Sequence, residues 1–158
     1  MIRPADPSDL DTIVALIGAL AEYEHLAHEV VLDRDVLHAH LFGPRPFAEV
    51  LIAESDAGDA VGFALFFHNF STFLGRPGVH LEDLFVRPEH RGAGHGRALL
   101  RELGRVAVAR DCGRIEWSVL DWNEPSIAFY RSLGAAPMDE WTVYRVTGDT
   151  MVALAEGS

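Results

Sequence analysis

Three glycines at alternate positions, Gly92, Gly94 and Gly96, follow the apolar run Leu84-Phe85-Val86 and lead directly into Ala98-Leu99-Leu100. Glycine has no Cβ to stop successive N–H groups from turning to one side, and a helix beginning behind them adds its positive end. The chemistry that suits this layout is the gripping of a pyrophosphate or a similar nucleotide anion. Spacing excludes two common phosphate loops. No Gly-Lys-Ser/Thr closes the run, and all thirteen basic residues of the chain are arginine. The dinucleotide fingerprint Gly-x-Gly-x-x-Gly fails because Arg97 stands where the third glycine belongs. What remains is Arg-x-x-Gly-x-Gly at Arg91, Gly94 and Gly96, with a glycine-rich turn that holds nothing as the plain alternative. Just upstream, Glu82 and Asp83 interrupt an otherwise apolar strand, where two adjacent carboxylates are costly to place without a use.

These residues need elements to position them. Leu10, Ile13, Val14, Ile17, Leu20 and Ala21 recur at helical spacing, so a helix starting at Ser8 and running to Glu24 is expected. A second helix is expected over 33–41, stopped by Gly43-Pro44. Residues 48–54 and 60–69 read as a hairpin, and 79–86 as a third strand. Leu99, Leu103 and Val106 mark a helix over 95–110 with Gly113 beyond its end. A strand over 115–120 then lies parallel to the preceding one if that helix is a crossover. Asn123 caps a further helix with Pro125 in its first turn and Gly134 at its end, and 141–146 reads as a last strand. The expected architecture is α/β (α+β): one mixed, mostly antiparallel sheet with helices on both faces, in a single domain over 1–158.

Composition narrows the partners. The chain carries a formal net charge of −11, which excludes a nucleic-acid surface built on clustered positive charge. Residues 1–86 hold fourteen acids and four arginines, whereas 87–114 hold seven arginines and three acids. A basic segment therefore coincides with the proposed anion loop, and the acidic remainder suits a cation. On this pattern Arg101, Arg105 and Arg110 are read as solvated helix residues. Eight histidines invite a metal, but His38 with His40 and His25 with His28 lack ligand spacing, so none is expected; His68 and His80 are read as structural. Cys112 is the only cysteine and is read as an inert thiol. With no apolar leader and no membrane-length apolar run, residence in the cytoplasm is the expectation.

The loop, the preceding Leu81-Glu82-Asp83-Leu84-Phe85-Val86 and the later Asp121-Trp122-Asn123-Glu124-Pro125-Ser126 resemble, in order and separation, the Gcn5-related N-acetyltransferase superfamily. Together with Leu20-Ala21-Glu22-Tyr23-Glu24 they are most similar to its diamine and polyamine branch, which includes the spermidine/spermine and thialysine acetyltransferases. Ser118-Val119-Leu120-Asp121-Trp122-Asn123 is closer to the thialysine members. The resemblance implies acetyl-CoA as co-substrate, no metal, and transfer to a primary amine of a small cation within a ternary complex. It implies pantetheine pairing along Leu84, Phe85 and Val86, and a pyrophosphate held by Arg91, Gly92, Ala93, Gly94, His95, Gly96 and Arg97. Asn123, Ser126 and Tyr130 fall where the family contacts the rest of the cofactor, and Tyr130 matches the general acid that protonates the leaving sulfur. An alkyl ammonium with a pKa of about 10.4 is almost wholly protonated at pH 7, so a base is needed, and Glu82 is the candidate. Asp83 lies on the opposite face if the strand is regular; a bulge would bring both carboxylates into the site. Tyr23, Glu24, Glu82, Asp83, Trp117, Glu140 and Trp141 are the candidates for the amine pocket. A homodimer is expected. The alternatives are an acetyltransferase for an aminoglycoside or a protein N-terminus, and a CoA-binding module without catalysis.

Overall fold

The computed structural model describes residues 1–157. By their internal contacts these form two compact units, Met1–Ser118 and the chain from Val119 onward. The first unit holds β1 (Ile2–Pro4), α1 (Leu10–Tyr23), α2 (Arg34–Phe42), β2 (Glu49–Glu54), β3 (Ala60–Ser71), β4 (Arg76–Val86), α3 (His95–Ala109) and β5 (Ile115–Trp117). The five strands make one sheet in the order β1-β2-β3-β4-β5. Every neighbouring pair is antiparallel except β4 and β5, which run parallel because α3 crosses over between them.

Alternation along the strands divides the core in two. Leu51 and Ala53 of β2 face the α3 side, where Leu99, Leu103 and Ala107 pack. Val50 and Ile52 face the other side, against Ile13, Leu16 and Leu20 of α1 and Leu41 of α2. Helices thus cover both faces of the sheet, as the sequence leads one to expect. The parity of β4 is broken once. Leu65 pairs with Asp83 and the next residue, Phe66, pairs with Leu81, so Glu82 is an extra residue opposite no partner of its own. Before it, Val79 and Leu81 lie in the α3-side core; after it Val86 does, while Phe85 has joined the α1 side.

Several local expectations are corrected. α1 begins at Leu10, directly after a 3₁₀ turn over Pro7–Asp9 that Asp6 caps: its carboxylate accepts from Ser8 N–H at 2.8 Å. Ser8 loses that role because Pro7 presets the turn one residue earlier. β4 begins at Arg76 rather than 79, since the hairpin ladder with β3 continues to Ser71↔Arg76. α3 is ended by Asp111 in the left-handed region (φ 55), with Cys112 N–H bonded to Ala107 C=O at 2.9 Å. Gly113 instead donates to Pro77 C=O at 2.8 Å. Arg105 pairs with Glu102 at 2.7 Å, and Arg110 grips Glu49 through two bonds of 2.6 and 2.8 Å, so neither is merely solvated.

The second unit holds α4 (Glu124–Ser132) and α5 (Gly148–Ala155). Asn123 caps α4, accepting from Ser126 N–H at 3.4 Å, and Gly134 (φ 85) ends it. No strand forms over 141–146, where Trp141, Val143 and Tyr144 are exposed. Alternating apolar residues supply a face for a strand, but a ladder also needs a backbone neighbour. Among the described residues no helix is long and apolar enough to cross a membrane.

The start of the chain is tied to the sheet by a charged knot. Arg3 donates from both terminal nitrogens to Asp9, at 2.7 and 2.9 Å, and from Nε to Glu54 at 2.6 Å. Asp9 is buried, and its hydrogen bonds from the Arg3 guanidinium hold its carboxyl below the usual carboxylate range. A depressed carboxylate stabilises the fold above its unfolded pKa, and that contribution is lost as pH falls through the folded value. Asp9→Asn is therefore expected to lower unfolding stability by about 1–3 kcal/mol at pH 7. The difference should shrink in strongly acidic buffer, and urea unfolding at both pH values checks it; a deficit that does not change with pH would assign the effect to shape rather than charge.

Candidate active site

The loop after β4 is built to receive an anion. A 3₁₀ turn over Pro88–His90 brings the chain to Arg91, after which Gly92 (φ 83) and Gly94 (φ 87) both adopt the left-handed region. A Cβ placed on either glycine would meet nothing within 4 Å, so the loop's outer side is open. Gly94 is the N-cap of the fifteen-residue helix α3 and offers no side chain to its amides. The first N–H groups of a helix have no intrahelical acceptor, so those at His95, Gly96 and Arg97 stand behind the glycines with the positive end of the helix dipole. The residues present fit a pyrophosphate held by backbone.

The second ingredient is an incomplete ladder. β5 pairs only with Val79, His80 and Leu81. From Glu82 to Val86 that side of β4 is continued by no strand among the described residues, whereas the other side stays paired with β3 as far as Gly62↔Val86. Leu84, Phe85 and Val86, expected to pair with a pantetheine arm, lie along this uncovered stretch. Backbone amides and carbonyls there suit an extended chain of alternating amides.

The bulge arranges the carboxylates. With Glu82 as the extra residue, Asp83 shares the α1 side of the sheet with Phe85, and Glu82 points to the same side as His80, whose Nε2 lies 3.5 Å from Glu82 Oε2. Burial, then the neighbouring charges of Glu82 and Glu24, push the Asp83 carboxyl up to about 6. Glu24, immediately after α1, is raised by its own burial. Its place is set by the helix end: His25 takes the left-handed region (φ 60), and Leu26 N–H returns to Ala21 C=O at 2.8 Å. Three carboxylates, from the end of α1 and the middle of β4, therefore share one electrostatic site.

Tyr23 closes this site on the α1 side. Its ring centroid lies 6.4 Å from that of Phe85, tilted by 51°. Arg91, expected among the pyrophosphate residues, directs its guanidinium here: Cζ is 4.5 Å from the Tyr23 centroid and 5.6 Å from the Phe85 centroid, and Nε donates to Val86 C=O at 2.9 Å. The structure thus brings Tyr23, Glu24, Glu82 and Asp83 together, and Trp117 lies apart from them. Trp117 pairs in register with Leu81 and packs into the α3-side core, on the face opposite Asp83. The second unit carries the other candidates. Tyr130 lies on α4 with its ring 5.7 Å from Phe129, Asn123 and Ser126 form the cap of that helix, and Glu140 and Trp141 lie in an exposed stretch without regular structure. His80 and the Arg91 stack are additions that residue-type reasoning passes over; the available signal was that His80 and Glu82 are two apart on one strand face.

Among the described residues no group of three or more His, Cys, Asp or Glu side chains is disposed to hold a metal ion. His68 is structural, its Nδ1 lying 3.0 Å from Gly78 C=O. Because Arg110 can only donate, its 2.9 Å contact assigns His68 Nε2 as acceptor and Nδ1 as the protonated nitrogen.

Known proteins resemble this chain in sequence and in fold. The solved structure of an integron cassette protein from the mobile metagenome of V. cholerae superposes with a TM-score of 0.80 at 25% identity, over 99% of this chain and 97% of that one. The thialysine N-epsilon-acetyltransferase of Bos taurus is 38% identical over 98% of this chain and 96% of its own length. The L-ornithine N5-acetyltransferase of Arabidopsis thaliana is 32% identical over 97% of this chain and 86% of its own. The acetyltransferase (GNAT) family profile matches residues 11–135, from the start of α1 past the glycine loop to the end of α4. The chain belongs to the acetyltransferase (GNAT) family and is an acetyl-CoA-dependent acyltransferase.

Proposed function

We propose that this protein acetylates a primary amine on a small cationic substrate, a diamine, polyamine or thialysine-like amino acid, by direct attack on acetyl-CoA in a ternary complex. The observation that carries this reading is the seat formed by Glu24, Glu82 and Asp83 beside the Tyr23 ring, where burial, and then the charges of Glu82 and Glu24, already raise Asp83 to about 6. A site that repels its own carboxylates is relieved by a cation, and an aromatic ring beside it supports a methylene chain or an ammonium group. The bovine and Arabidopsis relatives are named for side-chain amines of thialysine and ornithine, which favours a terminal primary amine as acceptor. A panel of such amines and diamines assayed with acetyl-CoA tests the reading; turnover with none of them would sink it.

The thioester supplies an activated acetyl group when acetyl-CoA is bound. Glu82, more than half exposed and next to His80, accepts the ammonium proton directly or through one water. The amine nitrogen then bonds to the acetyl carbon, the carbon–sulfur bond breaks, the nitrogen gives its second proton to water, and a proton goes to the departing sulfur from a donor that is reprotonated by solvent. That last role is assigned to the Tyr130 phenol by its match to the family motif. Glu82→Gln and Tyr130→Phe are each expected to lower kcat by roughly 10²- to 10⁴-fold while leaving acetyl-CoA affinity intact. Steady-state kinetics with a thermal-shift titration checks this; losses under tenfold in both variants would reject the assignment.

Asp83 gives a prediction of opposite sign for stability and for binding. Its folded pKa lies above its unfolded value, so the neutral carboxyl contributes stability below the unfolded pKa, and that contribution disappears as pH rises through about 6. Asp83→Asn escapes this loss. Relative to the unsubstituted protein it should gain about 2–3 kcal/mol between pH 4 and pH 8. Its amine KM should rise over the same interval, because the cation it binds prefers the ionised carboxylate. Unfolding curves that remain parallel across that pH range would show that the site is not strained by charge.

A further inference from the structure

We propose that Arg91 is a positioning residue for the amine seat: its side chain braces the end of α1 against the end of β4, and the pyrophosphate is left to the backbone of the glycine loop. Resemblance alone groups Arg91 with the anion ligands. The geometry directs its guanidinium elsewhere, with Nε donating to Val86 C=O at 2.9 Å and the group lying against the Tyr23 and Phe85 rings at 4.5 and 5.6 Å. One hydrogen bond and two aromatic contacts fix the group between the last residue of α1 and the last two residues of β4. Tyr23 directly precedes Glu24, whose charge reaches Asp83, so the brace holds the end of α1 that carries a carboxylate of the seat.

Arginine suits this place for physical reasons. Its guanidinium is planar, permanently charged and weakly hydrated, so it can lie against a ring and donate in its own plane together. The same residue opens the glycine loop. The turn before it is closed by His90 N–H to Arg87 C=O at 2.9 Å and Arg91 N–H to Pro88 C=O at 3.2 Å. The brace and the anion loop therefore share one backbone position, which joins the two substrate sites mechanically. The inference rests on reading the three carboxylates as the amine seat.

The test is Arg91→Met, which keeps a flexible apolar stem and removes the charge and the donors. The amine KM is expected to rise at least about tenfold and kcat to fall less than about threefold. The Kd for CoA, measured by calorimetry, should stay within about threefold, with its salt dependence unchanged. Arg91→Lys, which keeps the charge without the planar fork, should recover part of the KM. If the CoA Kd instead rises about tenfold, its log–log salt slope falls by about one and the amine KM holds, Arg91 is a pyrophosphate ligand and the proposal is overturned. Should Arg91→Met fail to fold, the cycle of Arg91→Lys with Tyr23→Leu decides: coupling of about threefold or more in kcat/KM for the amine supports the brace, and strict additivity overturns it. A wild-type protein that acetylates no amine in the panel removes the amine-seat reading alone. The same cycle is then read in urea unfolding, where additive losses overturn the brace and coupling sustains it.

Discussion

One extra residue in β4 governs the site. Because Glu82 is inserted opposite no partner, the strand changes parity between Leu81 and Phe85. In a regular strand Glu82 and Asp83 would stand on opposite faces, and Asp83 would occupy the α3-side core with Val79 and Leu81. That arrangement would bury a carboxylate among leucines without a partner, which costs several kcal/mol. The bulge moves Asp83 to the α1 side, beside Glu82 and within reach of Glu24, and it delivers Phe85 to the ring of Tyr23.

A second consequence concerns the edges of β4. The strand pairs with β3 along its whole length but with β5 only before the bulge. The uncovered stretch, the glycine loop and the N-terminus of α3 succeed one another in the chain, so backbone alone lines a path from an amide-pairing edge to an anion-binding helix end. Side chains on the two faces of the sheet remain free for packing and for recognition of the acceptor. Under the proposed function the backbone serves the cofactor and side chains serve the acceptor, a division of labour that lets the acceptor change without rebuilding the loop.

Stability and function conflict at Asp83. Burial, and then the charges of Glu82 and Glu24, raise its pKa, and an ionised carboxylate held there weakens the fold at neutral pH. The fold offsets it away from the site, through the Arg3–Asp9–Glu54 knot at the start of the sheet and through the two apolar cores on its faces. Under the proposed function, relief by a bound cation makes this cluster a recognition site.

Much of this was legible in the chain. Helical spacing located α1 and α3, the Gly43-Pro44 stop bounded α2, the Arg-x-x-Gly-x-Gly run located the loop, and Glu82-Asp83 announced themselves as two charges in an apolar strand, because each of these signals is local. Other features depend on neighbours distant in sequence, and there local pattern failed. Trp117 looks like a pocket aromatic but is held in the α3-side core by its register with Leu81. Residues 141–146 alternate like a strand yet form none, since pairing is decided by backbone partners. Asp111, in the left-handed region, ends α3 two residues before Gly113, a role no local signal assigned to it. By itself the sequence determined which residues could do chemistry and which elements would carry them. Only the tertiary structure decided that Glu82 is the bulged residue, that Asp83 faces Glu24, and that Arg91 lies on Tyr23, because register, burial and cross-chain charge exist only once the strands have paired.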